Sequence, residues 1–148
     1  MPTELHKLTM SVSRVVKAFQ SSYKLKDLSD EIDGIKDTFD KIIHEKLAGI
    51  DPKSLVSLII NKAKIVQLVL NDLTTSFNQS KAKGDKNATW ADLTKLKKNI
   101  IDLRHLSSQL PKDIQTKAQA ALNNMRAKLD DAFSTVDKYL LEVRSWKY

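Results

Sequence analysis

The chain has no cysteine, and that single absence removes several chemistries at once. Disulfide staples, thiol nucleophiles and zinc sites built on thiolates are all excluded. A cysteine-free chain fits a reducing cytosol, although a helical domain of 148 residues needs no staples outside the cell either. Glycine and proline are scarce, three of each, and aromatics make up 6%. A β-sandwich or barrel of this length needs far more turn chemistry than that. The opening MPTELHKLTM carries no uninterrupted apolar core, so it does not read as a signal peptide. Localisation stays open: soluble, and either cytoplasmic or secreted with a signal removed.

What is present is ordinary for a globular chain: 41% apolar and 29% charged residues. One helical-bundle domain over residues 1–148 is expected, long enough to bury a sizeable core. The formal charge of +7 is unevenly spread. Residues 27–51 hold eight acids against three lysines, while residues 52–89 hold six lysines against two acids. Acidic and basic helices packed side by side account for such segregation without an external partner. Lysine outnumbers arginine 21 to 4, against the preference for arginine forks where phosphates or bases are read.

Apolar residues recur in threes and fours throughout. Leu5, Leu8, Val12, Val15 and Phe19 form one seam; after a slip around residues 21–28, Leu25, Leu28, Ile32, Ile35, Phe39 and Ile42 form the next. Gly49 then reads as a C-terminal cap, Asp51 as an N-cap and Pro52 as a first helical residue. A third helix over about 53–80 is followed by a polar loop, SKAKGDKNAT, and Thr89 with Asp92 suggests a capped start for a fourth. Its stripe is Leu93, Leu96, Ile100, Leu103 and Leu110, ended by Pro111. From Ile114 to Val143 one face reads as a single helix of about 35 residues. The expected fold is all-α: an antiparallel bundle of four to five amphipathic helices with a long C-terminal helix.

SLVSLIINKAKIVQLVLNDL, residues 54–73, is the most apolar stretch. Ser54, Ser57, Asn61, Lys64, Asn71 and Thr75 gather on one strip, which argues against a membrane span and for a bundle helix. Val56, Ile60 and Leu68 lie outside the main apolar face. Lys62 breaks the pattern, projecting between Leu58, Ile59, Val66 and Val69. Two readings stand: it reaches water or an acid of the preceding helix, or it sits in an inter-helical pocket holding the head group of an acidic amphiphile.

Other patterns carry less. SDEIDGIKDTFD, residues 29–40, mimics a calcium loop at Gly34 and Asp40 but fails with Ser29 first and Lys36 eighth. Asp30, Asp33, Asp37 and Asp40 read as an outer acidic stripe, a solvated surface or a docking face. Lys81, Lys83, Lys86, Lys95 and Lys98 form a basic patch near one end of the bundle, with Trp90 the only aromatic nearby. Asn78 and Asn87 each begin a glycosylation acceptor pattern. His6, His44 and His105 have no paired-ligand spacing, and no phosphate cradle, nucleophile elbow or metal-binding motif occurs. No cofactor, metal or enzymatic activity is expected. The leading reading is a non-enzymatic interaction protein that binds a partner protein through exposed helix faces. A carrier of a lipid or other acidic amphiphile is the alternative, and binding to anionic membrane or nucleic acid is the third.

Overall fold

The computed structural model describes Met10, Arg14 and residues 24–44 and 51–147. Among these residues there are five helices and no strand: α1 (Leu25–His44), α2 (Pro52–Lys83), α3 (Lys86–Ser108), α4 (Lys112–Lys117) and α5 (Gln119–Arg144). The seam expected over Leu5–Phe19 and the cap expected at Gly49 lie outside the described residues.

Each helix follows from its local sequence. Every apolar position of the α1 seam, Leu25 through Ile42, is buried. The calcium-like stretch 29–40 is plain mid-helix. Asp51 caps α2, its carboxylate accepting from Lys53 N at 3.1 Å, with Pro52 at the first position. The polar loop expected over residues 80–89 shrinks to two residues. Helix α2 continues to Lys83, and Gly84 ends it at φ 72°, a left-handed conformation that only glycine adopts freely. Asp85, not Thr89, caps α3 by accepting from Ala88 N at 3.0 Å. Thr89 is already helical and buried, its hydroxyl donating to Asp85 O at 2.6 Å. The correction has a simple cause. Alanines and lysines on both sides of Gly84-Asp85 favour helix, so one glycine and one cap suffice to reverse the chain.

The expected 35-residue C-terminal helix is also interrupted. Ala118 leaves the helical region at φ −107°, ψ 17°, separating α4 from α5. Its N–H still reaches Ile114 O, and its carbonyl still accepts from Leu122 N, both at 2.9 Å. Both backbone groups of Ala118 are thus satisfied, so the break costs little.

Successive long helices reverse direction along the chain, but neighbours around the bundle are not the successive ones. Asp30–Lys95 and Lys36–Asp102 set α1 beside α3 and parallel to it. Lys97–Asp137 and Arg104–Asp130 set α3 antiparallel to α5. Thr74–Tyr139 and Lys81–Glu142 set α5 parallel to α2, which closes the ring back to α1. The α2–α5 seam is aromatic: Phe77 stacks on Tyr139 at 4.0 Å between ring centroids, with Trp146 at 5.8 Å from Phe77. By length and composition α2 passes as a membrane span; here Leu58, Ile59, Ile65, Val66, Val69 and Leu73 are buried inside the bundle.

Candidate functional site

Lys62 is 2% exposed, and the four residues expected around it, Leu58, Ile59, Val66 and Val69, are equally buried. It faces the acidic helix: burial pulls its pKa down from 10.5 to about 8, partly offset by Glu31 and then Asp37. No described carboxylate closes an ion pair with it. Across from it, burial pushes Glu31 up from 4.5 to about 7; Lys62 pulls it back, while Asp27 and Asp30 add to the rise. Glu31 Oε2 is buried without a hydrogen bond. Lys62 does not line any of the cavities described below.

The acidic stripe and the basic patch largely answer each other or their own helix. Asp30 pairs with Lys95, Asp33 with Lys36, Asp37 with Lys41 and Asp40 with His44. Lys81 holds Glu142 at 2.7 Å, and Lys86 donates to the carbonyl of Trp146 at 3.0 Å. Lys83 and Lys98 are exposed. The cavity beside Asp33, Asp37 and Asp40 is an open groove shared with Lys36 and Leu106. Asn78 and Asn87 are exposed on either side of the Gly84-Asp85 turn, while Thr89, the hydroxyl residue of the second pattern, is buried. Of the three apolar residues outside the main face of α2, Val56 and Leu68 are half-buried against the core and Ile60 remains 40% exposed.

The structure draws attention elsewhere. Among the described residues the large exposed hydrophobics are Met10, Ile60, Trp90, Ile101 and Leu141. Ile101 lies in the outer groove between α3 and α5, and helical spacing sets Trp90 and Leu141 on the same sides of their helices. Ile101 and Phe133 line a cleft of about 400 Å³ there, above the core residues Ile100 and Leu129. Trp90 lies three turns before Ile101 on the same side of α3, and Leu141 follows Asp137 by one turn on α5. Two ion pairs span the groove, Lys97–Asp137 at 2.7 Å and Arg104–Asp130 at 3.2 Å, and Lys97 also sits 5.1 Å from the Phe133 ring centroid. The groove charges are therefore answered internally. The exposed charges around it are mostly cationic: Lys98, Lys138 and Arg144, against Asp131.

The core stripes alone do not predict this face. A signal existed: Trp90, Ile101, Phe133 and Leu141 are all large apolar residues off the stripe of their helix, which on an amphipathic helix marks a second apolar face. No family model, curated protein or solved structure matches the chain.

Proposed function

We propose that the protein is a non-enzymatic interaction module whose α3–α5 face receives an amphipathic helix of a partner protein, with acidic residues flanking its apolar stripe. One observation carries this reading. Exposed Ile101 lines a cleft with Phe133, exposed Trp90 and Leu141 extend the same sides of α3 and α5 beyond it, and the ion pairs across the groove are already closed. An apolar groove between two helices accepts a third helix through anchors spaced three and four apart. The excess of Lys98, Lys138 and Arg144 over Asp131 on its rim favours an acidic partner.

The test is affinity capture from an extract of the source with three baits: the wild-type chain, Ile101→Glu/Leu141→Glu, and Ile60→Glu as a control on α2. A bound protein should survive Ile60→Glu and be lost by at least about tenfold with the double variant. Hydrogen exchange on the recovered complex should protect residues 97–108 and 130–141. Retention by the double variant, or protection confined to α2, would overturn the assignment.

A further inference from the structure

We propose that the cleft where α1 begins, α2 ends and α3 begins is a binding site for a small zwitterion, a molecule carrying both an ammonium and an acid group, such as a free amino acid. The cleft lies on the other flank of α3 from the docking face and does not depend on that reading. Its volume is about 250 Å³, room for a molecule of amino-acid size.

Its floor includes Ser76, which is fully buried with an Oγ that has no hydrogen-bond partner. Helical hydroxyls normally satisfy themselves on the carbonyl four residues back, as Thr38, Thr89, Thr116 and Thr135 all do here. A buried hydroxyl left open at the bottom of a cleft is a group waiting for a ligand atom.

The walls carry charges of both signs: Lys24 and Lys26 at the start of α1, Lys83 at the end of α2, and Asp85 and Asp92 at the start of α3. Along the α1–α3 and α3–α5 seams the facing charges close into ion pairs. Here none forms between the lysines and the aspartates, although Lys26 is near enough to Asp92 to act on its charge. Burial raises the pKa of Asp92, Lys26 and Lys95 offset part of that rise, and Asp30 and Asp85 add to it. A ligand ammonium beside Asp92 and a ligand acid group beside the lysines supply both missing partners. A simple anion would have to sit against two aspartates, and a simple cation against three lysines.

The experiment is an NMR titration of the full chain with free L-amino acids at millimolar concentration. Inorganic phosphate serves as the anion-only probe and methylammonium as the cation-only probe. An amino acid should shift the amides of Ser76 and Thr89. Lys26→Gln and Asp92→Asn should each weaken it about tenfold, the effect of losing one charge-assisted hydrogen bond. Ser76→Ala should weaken it severalfold without lowering thermal stability, since its hydroxyl has no partner to lose. Three results overturn the proposal: phosphate binding that tightens in Asp92→Asn, methylammonium binding indifferent to Lys26→Gln, or no response at these amides to any probe.

Discussion

Helix α1 meets its two neighbours across polar seams made of similar residues, and the seams differ in how they close. Toward α3, Lys36 Nζ donates to Asn99 Oδ1 at 3.1 Å and lies 3.2 Å from Asp102 and 3.4 Å from Asp33. Asn99 in turn donates to Ser29 Oγ at 2.8 Å and to the Ser29 carbonyl. Toward α2, Lys62 and Glu31 face each other without an ion pair, and Glu31 Oε2 has no partner at all. The first seam runs along a groove edge, where the side chains of Asp33 and Asp102 remain over 40% exposed. The second places its lysine at a core position. The contrast shows that opposite charge on adjacent helices helps only where the heads keep part of their hydration; inside, desolvation outweighs attraction.

The largest effect is expected for Asn99→Ala. It strands Ser29 and shortens the Lys36 network in a buried setting, so a loss of about 2–3 kcal/mol is expected in urea unfolding. A loss near zero would mean that the α1–α3 seam contributes little. In the opposite direction, Lys62→Met should raise stability at pH 7 by about 1–2 kcal/mol, because it replaces a poorly paired buried cation with an apolar side chain.

The same pair sets a pH signature. Glu31 binds its proton more tightly folded than unfolded, so its contribution to stability falls as pH rises from 4.5 to about 7. Lys62 releases its proton more easily when folded, so its contribution rises between about 8 and 10.5. The pair therefore weakens the fold most between these two ranges. In Lys62→Met the alkaline rise should disappear, read as the difference between wild-type and variant unfolding curves; a persisting rise would assign it to another group. The smallest effect is expected for Lys95→Ala, which removes a half-exposed pair with Asp30 at 3.4 Å: under about 0.5 kcal/mol, and less at high salt.

Much of the fold was legible because helical periodicity is a local property. The α1 seam, the Asp51-Pro52 start of α2 and the stripe of α3 could be read from residues a turn apart, and all appear where expected. The break at Gly84-Asp85 was legible too, but the polar residues around it read as loop while their propensities favour helix. The break at Ala118 had no local marker. The placement of Lys62 among Leu58, Ile59, Val66 and Val69 was legible from spacing alone; the acid that faces it was not, since Glu31 lies on another helix.

By itself, then, the sequence determined that this is a helical bundle, which apolar stripe of each long helix is buried, and that an acidic helix sits among basic ones. Those properties follow from side-chain spacing of 3.6 residues per turn and from composition. Only the tertiary structure decided that α1 lies parallel beside α3, that Ile101 and Phe133 meet in one cleft between α3 and α5, and that Ser76 is left open in a cleft lined by charges of both signs. Each depends on which helix packs against which, and several pairings bury the same stripes almost equally well.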